Sequence, residues 1–321
     1  MKAAAEAGTV KRVVITSSIA AVYDSSIPVP KEKEESKLFD ETSWTDLENA
    51  SIDIYAKSKT LAEKAAWDFV KELSDDKKFE LVAINPGMVI GPLLTKRFTT
   101  SHAVVKKLLD KSTPAVAKLN CNITDVRDVA QAHLQALVLP EVAGQRHLIV
   151  SHSVWVKEVA MILQKEFSPQ GYFVPTFTAP NALVRVSSFI DKGVKLVVPR
   201  LGKECKYDNK RMQEVLKITP IDLEKTVIDT ANSMIEMGVI KRSKKSLKPK
   251  KENAPQEEGK FLMLFMSFTR LILSPSVFIA AKTNGTEEPK EEAVKKTEEL
   301  EPEDKAVKTE APAVSVEVAA N

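Results

Sequence analysis

Tyr55-Ala-Lys-Ser-Lys59 sets a phenol and an ammonium four residues apart, a spacing that puts both on one face of a helix. An ammonium beside a phenol stabilises the phenolate. A lowering of about three units from the usual tyrosine pKa near 10 amounts to about 4 kcal/mol and makes the phenol a proton donor or acceptor near neutral pH. The same spacing also describes an ordinary solvated Tyr–Lys pair. Two further groups add weight. Thr16-Ser17-Ser18 directly follows the apolar run Val13-Val14-Ile15, and Asn85-Pro86-Gly87 closes a second run over residues 81–84. Hydroxyls and turns at the carboxyl ends of parallel strands lie where open α/β sheets bind ligands. For Thr16-Ser17-Ser18 the other reading is a strand-end turn that bonds its own backbone.

These groups need elements to hold them. Short continuous apolar runs at residues 13–15, 81–84 and 147–150 suit strands covered on both faces. Between them, residues 53–73 carry Ala, Leu, Trp67, Phe69 and Val70 at helical spacing. Asp125 is placed to N-cap a helix through Ala130, Ala132 and Leu134, with Asp128 in its first turn. Residues 156–167 and 223–237 read as amphipathic helices. Residues 3–7 read as the end of a helix closed by Gly8. Strands alternating with helices predict an α/β fold with a parallel sheet.

Composition narrows the chemistry. Over 321 residues the net charge is +3, which gives no electrostatic case for nucleic acid as a partner. Cys121 and Cys205 are too few for a disulfide framework or a cysteine zinc site, and point to a reducing, cytoplasmic compartment. The four histidines form no metal-binding pattern, so no metal is expected.

The stretches VKRVVITSSIAAVY, DETSWTDLE, YAKSKTLAEKAAWDF, INPGMVIGPLL and DVRDVAQAH, in that order, resemble the extended short-chain dehydrogenase/reductase superfamily with its NAD-dependent epimerase/dehydratase fold. Within it the likeness is to the cinnamoyl-CoA reductase and dihydroflavonol reductase group, over residues 1 to about 240. The resemblance implies a Rossmann-type parallel sheet with a smaller C-terminal substrate lobe, and an NADP-dependent oxidoreductase, NAD being the second choice, that reduces an aldehyde or ketone to an alcohol. It implies Tyr55 as proton donor and Lys59 as the residue that lowers the Tyr55 pKa and holds the nicotinamide ribose. Ser18, rather than Ser17, binds the carbonyl oxygen. Pro86, Gly87 and Val89 line the nicotinamide pocket. Asp125 and Asp128 match a family motif, with capping as their reading here.

Two departures qualify the likeness. The segment ASIDIYAKSK stands where cinnamoyl-CoA reductases have an NWYCYGK-type run, with Asp53 and Ile54 in place of the aromatic lead-in. That argues for a general aldehyde or ketone reductase over a CoA-thioester enzyme. The family also opens with a Gly-rich turn that seats the pyrophosphate on a helix N-terminus. None of the ten glycines forms that pattern. The first strand therefore corresponds to the family's fifth, the chain is read as a fragment, one edge of the residue 13–15 strand should be exposed, and NADP(H) should bind weakly to this chain alone. A non-catalytic, membrane-associated interaction protein on a remnant reductase fold is the alternative at this point.

The layout is thus residues 1–150 as the second half of a dinucleotide-binding domain and 151–240 as the substrate lobe. Phe173, Phe177, Val184, Val186 and Phe189 are candidates there for an apolar pocket or for core. Residues 241–260 hold eight basic and three acidic residues, a solvated linker. Residues 261–281 have 15 hydrophobic residues of 21, long enough to cross a bilayer as a helix. Arg270 and Pro275 oppose a span, leaving spanning, surface association on the cytoplasmic face and no membrane role as readings. Residues 282–321, with six lysines against eleven acids, read as a disordered tail.

Overall fold

The chain opens with α1 (Lys2–Ala7) and β1 (Arg12–Thr16). A short 3-10 turn, Ile19–Ala21, then leads to β2 (Leu38–Phe39) and α2 (Ile54–Lys71). Next come β3 (Glu80–Pro86), β4 (Met88–Ile90) and α3 (His102–Leu109). They are followed by β5 (Asn120–Asp125), α4 (Val126–Val138), β6 (Arg146–Ile149), β7 (His152–Trp155) and α5 (Val156–Phe167). The last part holds α6 (Asn181–Ser187), α7 (Lys192–Val197), β8 (Lys206–Tyr207), α8 (Lys210–Glu214), α9 (Leu223–Glu236) and β9 (Ile279–Ala280). This computed structural model describes residues 1–190, 192–243 and 279–280, all within one unit, Met1–Lys282. The basic linker beyond residue 243, most of the apolar segment 261–281 and the acidic tail lie outside the described residues.

The sheet that positions the site runs β6-β3-β1-β9. β1, β3 and β6 are parallel, with Val13 opposite Leu81 and Ile84 opposite His147. Two-residue alternation divides the runs between faces. Val13 and Leu81 pack with Ala5, Ala66 and Phe79 under α1 and α2. Val14, Val82 and Ile84 pack with Val129, Ala132 and Ala136 of α4. Covering on both faces is why these strands lack polar alternation, and the α/β parallel sheet expected from the sequence is the fold observed. α1 ends as the sequence predicts, with Gly8 at φ 63°.

Three details differ from the sequence reading. β3 continues through Asn85 to Pro86, paired to Ile149, because Pro86 closes the strand, where its missing N–H is tolerated. The outer edge of β1 is met by β9, antiparallel, with Val13 opposite Ala280 and Val14 opposite Ile279, so that edge is not bare there. A second sheet, β4-β5-β7, was not anticipated. Its strands are short, and it packs against α3, α5 and α9 around Ile90, Ile123, Leu163 and Met234. The antiparallel β5–β7 pairing joins residues on both sides of position 150.

In the C-terminal part, the five apolar candidates separate. Val184 is buried, whereas Phe173, Phe177, Val186 and Phe189 are exposed, Phe189 at 90%. The core reading fails for those four: Phe173 and Phe177 lie in irregular chain before α6, Phe189 lies in the turn after it, and α6 itself turns Val184 inward and Val186 out. Among the described residues no helix is long and apolar enough to cross a membrane.

Candidate functional site

The start of α2 fixes Tyr55. Asp53 caps the helix, its Oδ1 accepting from the Tyr55 N–H at 2.9 Å. The Asp53 N–H itself donates to the buried Asp24 carboxylate at 2.7 Å. The Asp53 that breaks the family pattern is therefore a cap of the preferred kind. Tyr55 is 55% exposed, and no hydrogen bond engages its hydroxyl among the described residues. One turn on, half-buried Lys59 reaches across to the end of β1 and donates to the Thr16 carbonyl at 3.1 Å. Burial lowers the Lys59 pKa, and the negative charge of Glu63 acts against that.

The β1 exit is held from several sides. Ser18 is buried and extended, caps the 3-10 turn with its hydroxyl accepting from Ala20 N–H at 3.1 Å, and α2 packs against that turn. The Ser18 carbonyl accepts from Asn85 Nδ2 at 3.1 Å, which ties the two strand ends together. The turn that bonds its own backbone and the ligand-facing rim are thus the same structure. Thr16 Oγ1 lies 2.7 Å from His133 Nε2, and His133 Nδ1 lies 2.8 Å from the Val129 carbonyl. Only a donor suits that carbonyl, so Nδ1 carries the proton and Nε2 accepts from the threonine. Burial lowers the His133 pKa, consistent with a neutral ring.

Beyond β3 the chain crosses to the second sheet at Gly87. A Cβ there would lie 2.3 Å from the Asn122 carbonyl and 2.9 Å from Thr124 Oγ1, so only glycine passes. Pro86 is buried, and Gly87 and Val89 are half-buried. Val89 leans on the Val14–Val82 cluster. Asp125 caps α4 as the sequence predicts, accepting from Arg127 N–H at 2.8 Å and also from Thr226 Oγ1 at 2.8 Å. Asp128 does more than face a helix dipole. It accepts from Ser151 Oγ at 2.9 Å and Ile221 N–H at 3.1 Å, while burial raises its pKa.

Beneath the rim lies a polar centre that the sequence reading missed. Glu63 accepts from Ser17 Oγ at 2.5 Å, Asn85 Nδ2 at 2.7 Å and Arg146 Nε at 2.6 Å. One signal for it was present: Ala56, Thr60, Glu63 and Ala66 form the buried stripe of α2, and a carboxylate on such a stripe needs a partner. Arg146 carried no comparable local signal. A groove of about 590 Å³ on α5 and α9, lined by Met161, Ile162, Lys165 and Glu224, contains none of these groups. Among the described residues no three His, Cys, Asp or Glu side chains gather as metal ligands.

A parallel sheet with a serine turn, a YxxxK helix and a proline–glycine strand exit on one rim defines the architecture of the extended short-chain dehydrogenases/reductases. The profile of the 3-beta hydroxysteroid dehydrogenase/isomerase family matches residues 1–166, and the chain belongs to that family. Over 241 residues it is 32% identical to the NADPH-dependent methylglyoxal reductase GRE2 of Saccharomyces cerevisiae, covering 72% of this chain and 65% of that protein. It is 33% identical to cinnamoyl-CoA reductase 1 of Arabidopsis thaliana, covering 74% of this chain and 61% of that protein. The solved structure of yeast methylglyoxal/isovaleraldehyde reductase Gre2 complexed with NADPH superposes with a TM-score of 0.56 at 32% identity, over 71% of this chain and 65% of that one. The chain thus spans about two-thirds or slightly less of the length of these relatives.

Proposed function

We propose that the chain carries the carbonyl and nicotinamide side of an NADP-dependent reductase that converts an aldehyde or ketone to an alcohol. The observation that carries this reading is the anchored Lys59, held at 3.1 Å on the Thr16 carbonyl, one helical turn from the exposed Tyr55, whose hydroxyl has no partner among the described residues. The donor set fits the ribose end of a dinucleotide. An ammonium has three N–H donors, Thr16 takes one, and the others suit vicinal ribose hydroxyls. Pro86, Gly87 and Val89 would border the nicotinamide. Among the described residues no Gly-rich turn at a helix N-terminus offers the phosphates a cradle.

Bound NADPH supplies the hydride; the side chains supply orientation and the proton. Ser18 would donate its O–H to the carbonyl oxygen as negative charge develops there, while its oxygen goes on accepting from Ala20 N–H. Tyr55 would give its proton to that oxygen, and the positive charge on Lys59 favours the phenolate left behind. Reprotonation proceeds from solvent, to which Tyr55 is open. The name of one relative, methylglyoxal reductase, supports small aldehydes and ketones as first probes. The capped Asp53 lead-in favours these over thioesters.

The experiment follows NADPH oxidation with methylglyoxal, at millimolar cofactor, in the full chain and in Tyr55→Phe. Turnover is expected to fall by about 10²-fold or more in the variant. Equal rates would remove the proton-donor role. Fluorescence of Trp44, Trp67 and Trp155 during NADPH titration is expected to saturate only above the micromolar range, and micromolar saturation would contradict the ribose-end fit.

A further inference from the structure

The chemistry just proposed makes no use of Glu63, yet among the described residues no other side chain ties together as many parts of the rim. Its side chain is fully buried, and that of Arg146 is 8% exposed. Its oxygens accept from Ser17 at the exit of β1, Asn85 at the exit of β3, Arg146 on β6, and Trp67 Nε1 on its own helix at 3.3 Å. Arg146 is fixed in turn by the carbonyls of Glu41 at 2.9 Å and Ser43 at 2.6 Å. Its guanidinium lies 3.7 Å from the Trp44 ring centre. Burying an ion pair is costly, and apolar residues of similar volume hold helices to sheets as well or better. Packing alone therefore does not account for this centre.

Its geometry does. Asn85 donates one N–H pair to two acceptors, Glu63 and the Ser18 carbonyl. The carboxylate therefore sets the height of the Ser17-Ser18 turn above the sheet. Lys59 sits one turn before Glu63 on α2. The charged and titratable groups around it are the Tyr55 phenol one turn before it on α2, Glu63 one turn after it, Arg146 beyond that carboxylate, and the neutral His133 reached through Thr16.

We propose that Glu63, with Arg146 as its counter-ion, is a positioning residue of the reductase site: it fixes the Ser17-Ser18 turn through Ser17 and Asn85 and faces the Lys59 ammonium with a compensating negative charge. This deepens the reductase reading and rests on it. Burial pulls the Lys59 pKa down and the Glu63 charge opposes that pull, so loss of the charge leaves burial unopposed.

The test uses the full chain labelled with 13Cε-lysine, the Lys59 resonance being assigned by its loss in Lys59→Arg. In Glu63→Gln the Lys59 titration midpoint is expected to fall by about half a unit or more. The kcat for methylglyoxal should fall about tenfold with KM within about twofold, the split expected of a lost transition-state interaction. Glu63→Asp should restore most of the midpoint. A midpoint unchanged within about 0.2 units would overturn the electrostatic role. Ser17→Ala leaves the ion pair intact and removes a single hydrogen bond, so it carries the test if Glu63→Gln does not fold. It is expected to lower kcat about fivefold without moving Lys59, and kcat within twofold of the parent would overturn the positioning role. If the parent chain turns over no carbonyl compound, the reductase reading falls, while the Lys59 titration still decides whether Glu63 holds that charge.

Discussion

Glu63 and Asp125 both have fully buried side chains, and each meets an arginine, yet they are built for different tasks. Asp125 bonds within its own helix start, to Arg127 N–H and the Arg127 guanidinium, and to Thr226 on α9. Its arginine is part-exposed and reaches on to Asp229 at 2.8 Å. Glu63 sits mid-helix, where its backbone needs no side-chain help, and gathers donors from β1, β3 and β6 instead. A carboxylate that finishes its own helix is a local stabiliser. One that joins three strand ends under a reactive rim controls where that rim lies.

The contrast can be broken at several points. Asp125→Ala removes a cap and two further charged or hydroxyl partners, and is expected to cost about 3–4 kcal/mol in urea unfolding. The Lys59 titration should not move in the folded variant; if it does, the two centres are one network. His147 tests burial without a counter-ion. It is fully buried, and burial, aided by the positive Arg211 and only partly offset by the Val142 backbone, lowers its pKa to about 4. Above the unfolded value of about 6.5 both states hold a neutral ring. As pH falls from there toward 4, the unfolded chain takes up the proton first and stability drops, by about 3 kcal/mol. His147→Phe should flatten that part of the pH–stability curve, and an equal slope in both proteins would assign it to other groups.

Gly87→Ala forces a Cβ against the Asn122 carbonyl, and should cost about 1–3 kcal/mol in thermal unfolding because backbone has to move. An unaffected midpoint would mean that the crossing between the sheets is looser than drawn. The smallest change is Ser17→Ala, about 1 kcal/mol for one hydrogen bond. Its loss of turnover, out of proportion to that cost, is what separates the Glu63 centre from the Asp125 centre.

The strands of the main sheet and the main helices were legible because burial on both faces leaves unbroken apolar runs, and α2 announced itself through its period, while its Asp53 cap was visible only in the structure. Tyr55 and Lys59 stood out as a pair through residue type and short spacing, whereas Ser18 was singled out from Ser17 only by the family resemblance. Glu63 was half-hidden: its place on the buried stripe showed, but its partners come from residues 17, 85 and 146, and that convergence exists only after folding. β4, β5 and β7 were missed because a run of three residues between turns, or one such as Asn120–Asp125 with polar residues facing a neighbouring strand, has too few apolar positions to fix a period. The exposure of Phe177 and Phe189 was also unreadable, since both lie in irregular chain, where no period in the sequence says which way a side chain faces.

The bond from Lys59 to the oxygen of Thr16 is to main chain, not to a side chain. Replacing residue 16 therefore cannot delete the anchor; any amino acid there offers the same oxygen. The ammonium takes its coordinates from the path of the strand, so drift at that position is tolerated by the lysine, whereas an insertion that slides β1 against β3 would carry the charge away from the phenol while leaving both residues intact.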